Sequence, residues 1–265
     1  MKILIKILLT ILWIAVVGGC VVLFILAKNE HSTRNCKNLS VKIEYDDSPE
    51  FISQQEVISL IEKKFGKIDK QNVDSIKIDN IKKLVDSNPY VKYSDIKVTV
   101  EGNVEVFIRQ EEPLFQYVTQ TNNWKIVTRS GKVIPLKAQK PFSSFVVSGD
   151  INDVLLDNEN IFSVCELDKE VDKSVSGIIS CYSIADFVSK DEVLKSLIEQ
   201  VVLDKNNHIS LVTKVGNHIV EFGDTTNTMN KFARLKVFYQ KALPSIGWDK
   251  YKVINLNFDN QIVCN

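Results

Sequence analysis

From Ile7 to Ala27 the chain runs for 21 residues without a charge, broken only by Thr10, Gly18, Gly19 and Cys20. At about 1.5 Å per residue, a helix of that length crosses roughly 30 Å, the hydrocarbon depth of a bilayer. A cleaved export signal has a shorter apolar core and ends in a small-x-small site. Val17-Gly18-Gly19-Cys20 has a faint likeness to a lipoprotein cleavage box, but seven apolar residues follow the cysteine where a polar tether belongs. The pattern therefore predicts an uncleaved anchor over 7–27, behind a short cytoplasmic tail, 1–6. Long domains translocate largely regardless of their charge, so the bulk of the chain is expected outside the cytoplasm, in a single-pass type II arrangement. Residues 28–38 are polar and aperiodic and read as a tether.

Beyond the tether the periodicity alternates between strand and helix. Leu39–Tyr45 alternates as a half-buried strand. Ser53-Gln-Gln-Glu56 has the spacing of a capping box, flanked by Ile52 and Val57 as a staple. Val57, Ile58, Leu60, Ile61 and Phe65 then form one helical stripe, stopped at Gly66. A second helix starts near Asn80, places Ile81, Leu84 and Val85 inward, and ends at Asn88-Pro89 because a residue before proline avoids helical geometry. Ile96, Val98 and Val100, then Val104, Val106 and Ile108, follow at period two. A loop at Glu101-Gly102-Asn103 would set Val98 against Val106 and Val100 against Val104, with all six on one face. The unit reads β-α-α-β-β over 39–109, one sheet covered by two helices.

Residues 110–265 are richer in short strand-like runs: Phe115–Thr119, Trp124–Thr128, Lys132–Leu136 and Phe145–Val147. A helix is expected around Val193–Ile198. A meander of Val201–Asp204, Ile209–Lys214 and His218–Phe222 comes after it. Phe232, Leu235, Phe238, Tyr239 and Ala242 share a helical face that Pro244 should stop. Tyr251–Phe258 and Gln261–Cys264 complete a second, β-rich domain. The whole is an α+β chain with one membrane helix in front.

Composition changes this picture little. The 265 residues are 45% hydrophobic and 25% charged, which excludes disordered and fibrous classes. Lys+Arg and Asp+Glu both total 33, and no basic excess points to nucleic acid. Three lysines and no acid fall within 1–28, so residues 29–265 carry 30 basic and 33 acidic side chains, a net charge of −3. Sequence signatures of catalysis are missing: no GxSxG, P-loop, GxGxxG, HExxH or CxxC. Three histidines, with His208 and His218 near one hairpin but out of register, give no metal site, and no cofactor is implied. Asp46-Asp47 and Glu111-Glu112 read as solvated pairs, the latter decorating the loop between domains. Cys165 and Cys181 flank a stretch read as loop and could bridge in an oxidising compartment, although an unpaired buried thiol is the alternative.

Asn88-Pro89-Tyr90-Val91 before a strand, Pro113 after the last strand of the small domain, Gly216–Asp224, Lys231–Leu235, Phe238-Tyr239, Gly247–Tyr251, Ile254–Leu256 and Asn260–Cys264 form a set of stretches. Together they resemble the FtsQ/DivIB family of bacterial cell-division proteins. The terminal stretches look like the version found in Bacteroidetes-type bacteria. The resemblance implies that 39–109 is a POTRA-like (polypeptide-transport-associated) domain and 110–265 an FtsQ-type β domain. It also implies a non-catalytic scaffold in the inner membrane at the division septum. Its expected partners are small bitopic proteins of the FtsB/FtsL type and other divisome components, with an influence on septal peptidoglycan synthesis. One departure is Gln110-Glu111-Glu112-Pro113, where the family often has Gln-Arg-x-Pro. A transport or assembly factor and an exported envelope enzyme are the competing readings. POTRA-like units precede outer-membrane barrels, but too little chain follows this one for a barrel.

The terminal strands are the expected partner site. A final strand with no later segment to cover it exposes backbone N–H and C=O groups, and such an edge invites pairing unless charged or short. From Val253 to Cys264 there is one acid, Asp259, and no lysine or proline. The residues expected to bind are Asn255, Leu256, Phe258, Ile262 and Val263, with Trp248 and Tyr251 as aromatic anchors.

Overall fold

The computed structural model describes residues 12–23, 35–69, 71–72, 75–137, 145–167 and 173–265. Residues 12–23 form α1, a helix whose Leu12, Trp13, Ile14, Val17, Val22 and Leu23 are all exposed. No helix among the described residues is long and apolar enough to cross a membrane. The expected span continues past both ends of α1, and its residues 7–11 and 24–27 lie outside the described set. The chain divides into two compact units, Met1–Glu44 with Ile52–Arg109 and Tyr45–Phe51 with Gln110–Asn265.

In the first unit, β1 (Asn38–Glu44), α2 (Gln54–Phe65), α3 (Ile78–Asp86), β2 (Val91–Val98) and β3 (Asn103–Gln110) follow the expected β-α-α-β-β order. The sheet order is β1-β3-β2, with β1 parallel to the central β3 and Val41 beside Val106. The capping box forms: the Glu56 N–H donates to Ser53 Oγ at 3.2 Å, and the Ser53 N–H to Glu56 Oε2 at 2.8 Å. Gly66 ends α2 at φ +75°, a value that suits glycine. Val57, Ile61, Ile81 and Val85 on the helices are buried, as are Val104, Val106 and Ile108 on β3.

Two expectations are corrected here. The tether is shorter than 28–38, because the Cys36 N–H donates to the Gln71 carbonyl at 2.7 Å and Cys36 is itself buried. The hairpin register is also offset. The Thr99 N–H donates to the Asn103 carbonyl at 2.9 Å, so the turn is Val100-Glu101-Gly102, with Gly102 at φ +90° and Val100 81% exposed. Val98 thereby comes beside Val104, not Val106. A slip of two residues keeps side chains on their face where a slip of one would invert them, so Ile96 and Val98 remain half-buried above the helices.

The outer edge of β2 is closed from α3. Ser94 is buried, its N–H donates to Asp86 Oδ1 at 2.9 Å, and its carbonyl accepts from Lys82 Nζ. Asp86 and Lys82 also pair with each other at 3.1 Å. One turn of helix thus occupies the two backbone groups that an incoming strand would use.

The second unit is built on nine strands in the order β12-β11-β10-β9-β8-β7-β4-β5-β6. They are β4 (Pro113–Val118), β5 (Trp124–Thr128), β6 (Val133–Pro135), β7 (Phe145–Gly149), β8 (Ile198–Leu203), β9 (Ile209–Thr213), β10 (Ile219–Gly223), β11 (Val253–Asn255) and β12 (Val263–Cys264). Pairings are antiparallel except β4–β7, β7–β8 and β10–β11. The last two need crossovers, and helices supply them. Between β7 and β8 lie α4 (Ile161–Leu167), α5 (Lys173–Ser189) and α6 (Glu192–Leu197). Between β10 and β11 lie α7 (Thr228–Val237), a π-helical turn (Phe238–Ala242) and α8 (Leu243–Ile246). The meander β8-β9-β10 is as expected from the alternation.

The domain holds more helix than its sequence suggested. The α5 stripe Val175, Ile178, Cys181, Ile184, Ala185 and Val188 is buried in the main core, with Phe187 stacked 5.1 Å from Phe232. Cys181 sits mid-helix as a fully buried free thiol, and the side chain of Cys165 lies outside the described residues. Burial pushes that thiol up to about 12. Pro244 does not stop the C-terminal helix. It lies in the first turn of α8, where its missing N–H costs little, and the π-turn before it absorbs the change in pitch. Glu111 is likewise not a solvated decoration. It is 3% exposed and accepts from Ser130 Oγ at 2.9 Å, while Glu112 pairs with Arg129.

Candidate partner-binding edge

The two ends of the nine-stranded sheet differ. At β6 both outward groups of Val133 are taken: its N–H donates to the Glu159 carbonyl at 2.8 Å, and its carbonyl accepts from Asn158 N–H at 2.8 Å. Pro135, next on that side, has no N–H to offer. At the other end β12 is the last strand. Val263 lies opposite Asn255, Cys264 opposite Ile254, and Asn265 exchanges both backbone bonds with Val253 at 3.1 and 3.2 Å. Bonded and non-bonded positions alternate in an antiparallel pair. Cys264 and Ile262 therefore turn their N–H and C=O groups away from β11, toward the outer side.

The expected site residues divide by burial. Asn255 and Val263 are cross-strand neighbours and half-buried, and Asn255 Nδ2 donates to Glu221 on β10. Ile262 is partly buried against the core. Phe258 is 46% exposed in the β11–β12 turn and Trp248 39% exposed after α8. Leu256 is corrected: it is fully buried in the core and offers a partner no side chain. Tyr251 is half-buried, with Lys250 Nζ 5.5 Å from its ring centre. Trp248 packs edge-on against Tyr239 at 5.9 Å, so it is anchored from within while its outer face is open.

A polar chain lies beneath Trp248. Thr213 Oγ1 donates to the Val215 carbonyl at 3.1 Å and accepts from Tyr239 Oη at 3.1 Å. Tyr239 has thus spent its proton and must accept from His218 Nε2, which it contacts directly. The neutral imidazole then carries its proton on Nε2, and Nδ1 is buried without a hydrogen-bond partner among the described residues. Burial pushes His218 below the usual histidine value, with the Trp248 carbonyl and Asp249 pulling the other way. Burial also lifts the Tyr239 hydroxyl to about 12. Gly216 lets the backbone lie flat on the ring: a Cβ there, at φ +81°, would stand 2.3 Å from His218 Cε1.

Two cations on α7 hold the turns that follow β10 and β11. Lys231, 5% exposed, donates to the Asp224 carbonyl and carboxylate at 2.9 and 3.0 Å and lies 5.0 Å from the Phe222 ring centre. Hydrogen bonds from Thr226 and Lys231 hold the Asp224 carboxyl down at about 2. Arg234, one turn on, donates to the carbonyls of Leu256 (3.0 Å), Phe258 and Gln261. Gly223, at φ +76°, allows Asn257 so close that a Cβ would stand 1.8 Å from its Oδ1. None of these was assigned a role from the sequence, although two cations three residues apart on an amphipathic helix were the available signal. Among the described residues no group of His, Cys, Asp and Glu is placed to hold a metal ion.

Residues 112–265, more than half of the chain, match the family model described as FtsQ/DivIB, C-terminal related. The chain belongs to the FtsQ/DivIB family. Residues 34–109 match the POTRA-like domain model, which covers the β-α-α-β-β unit from just before β1. Membership makes this a cell-division protein, assembled from two kinds of domain that are typically non-catalytic. No curated protein matches it.

Proposed function

We propose that this protein is a membrane-anchored, non-catalytic scaffold of the divisome that captures a small FtsB/FtsL-type partner by strand addition at β12. The observation that carries this reading is the unequal treatment of the sheet ends, with β6 covered and β12 presenting the outward groups of Ile262 and Cys264. A strand laid there would gain backbone hydrogen bonds, with side chains selected by Phe258, Val263 and the outer face of Trp248. Asn255, Ile262 and Tyr251 shape that surface from below, and Leu256 supports it from the core. The uncharged run 7–27, with the exposed apolar side chains of α1, supports a bilayer anchor. On this reading the protein works in the inner membrane at the septum, its two domains outside the cytoplasm, where a bound partner would bear on peptidoglycan synthesis.

The test is Ile262→Pro, which removes one outward N–H and leaves the bonds of Val263 and Asn265 to β11. Thermal melting and capture of a co-expressed FtsB-type protein are measured together. A melting temperature within a few degrees of wild type, with capture at least tenfold weaker, is the expected result. A folded variant that captures its partner at wild-type affinity would refute the site.

A further inference from the structure

We infer that Arg234 is a positioning residue for the β12 edge, setting the orientation of a strand it does not belong to. The inference rests on the proposed edge site. From α7 the guanidinium reaches 22, 24 and 27 residues along the chain to the carbonyls of Leu256, Phe258 and Gln261. These three acceptors lie at the start, the middle and the end of the turn that leads from β11 into β12. A guanidinium has five N–H donors in a rigid planar fork, whereas an ammonium is a point charge on a flexible stem. One lysine could not span three separated carbonyls in fixed directions.

The other holds on this edge are the paired backbone bonds of Val253 and Asn265 and the partial burial of Ile262 and Cys264, none of which fixes the turn. β12 has two residues, and its pairing with β11 is two residues long. The connecting turn carries Asn260 at φ +57°. Ordering each residue of such a turn costs conformational entropy, which two ladder pairs alone do not offset. Other ties secure the near end of the turn: the Leu256 N–H donates to the Glu221 carbonyl at 2.9 Å, and the Asn257 N–H to Asn255 Oδ1 at 2.9 Å. Arg234 reaches the far end at Gln261, one residue before Ile262. Lys231, one turn earlier, fixes α7 itself to the end of β10, so the two cations tie β10, α7 and β12 into one brace.

Backbone hydrogen exchange on the full chain in detergent separates positioning from general stabilisation. In Arg234→Lys and Arg234→Gln, exchange at Val263 and Asn265 should accelerate at least tenfold, with Leu211 and Val220 in the sheet centre unchanged. Capture of a co-expressed FtsB-type protein should weaken at least tenfold in Arg234→Lys, although that variant keeps the charge and the fold. Unchanged exchange at Val263 and Asn265, or equal acceleration at Leu211 and Val220, overturns the inference. So does wild-type capture by Arg234→Lys when Ile262→Pro has lost it. If the wild-type chain captures no FtsB-type protein, the edge reading fails by itself and the exchange rates still decide the role of Arg234.

Discussion

His218 is a buried imidazole held neutral by its surroundings, and that has a consequence for stability. Its folded pKa lies below the unfolded value because burial disfavours the charged ring. Below about pH 6.5 the unfolded chain takes up a proton that the folded chain resists. Stability from this site is therefore complete above that pH and lost as pH falls through it. Chemical denaturation at pH 7.5 and pH 5.5 should show a loss for wild type that His218→Gln largely abolishes. Asp224 works in a lower window, its contribution persisting above about pH 4 and disappearing toward about pH 2. A second residue-scale test is Gly223→Ala, which adds a Cβ at φ +76° against Asn257. It should destabilise the second unit by about 1–3 kcal/mol, read from the denaturation midpoint. The glycine, the histidine and the lysine were all visible in the sequence. Their roles were not, because each depends on a neighbour in another element or on a turn whose φ no composition reveals. Glu111 is the clearest example: adjacent acids read as solvated, yet one is enclosed by the β5–β6 turn that supplies Ser130.

Helix and strand periodicity gave the small unit almost entirely. The capping box, the stop at Gly66 and the alternation of β3 are local signals, and local physics decides them. The register of β2 against β3 is set by a turn in which Gly102 and the Thr99 side chain decide the pairing, and hydrophobic pattern alone cannot distinguish registers two apart. Helix α5 escaped for another reason. Five serines and Gly177 dilute its stripe, yet Ser180 and Ser183 return hydrogen bonds to Ser176 and Ile179, one turn back. Gly177 is small because Leu203 Cδ2 would stand 2.4 Å from a Cβ there. At this scale the informative contrast is Val106→Asp against Lys92→Asp. The first buries an unpaired charge in the centre of the sheet and should cost several kcal/mol, enough to unfold the small unit. The second lies on the exposed part of β2 and should change stability by about 0.5 kcal/mol or less. Circular dichroism melts of both variants check the face assignment, and equal losses would overturn it.

For the molecule as a whole, the proposed location rests on the uncharged run 7–27 acting as an anchor. The full chain should resist carbonate extraction from membranes, and protease added to spheroplasts should degrade the two units. A mature terminus at Cys20, or complete protection from protease, would sink the proposed topology. The nine-stranded sheet has one end finished by Val133, Asn158, Glu159 and Pro135 and the other end left at β12. A sheet open at both ends can grow without limit, each added strand offering a new acceptor, and that is how fibres start. A sheet with one end covered offers another copy of the same chain a single place of attachment. Two copies meeting through it would form a closed pair, and a bound partner strand would prevent even that. On the proposed reading each chain offers a partner strand one place, at β12, so the number of partner strands held directly follows the number of copies of this chain.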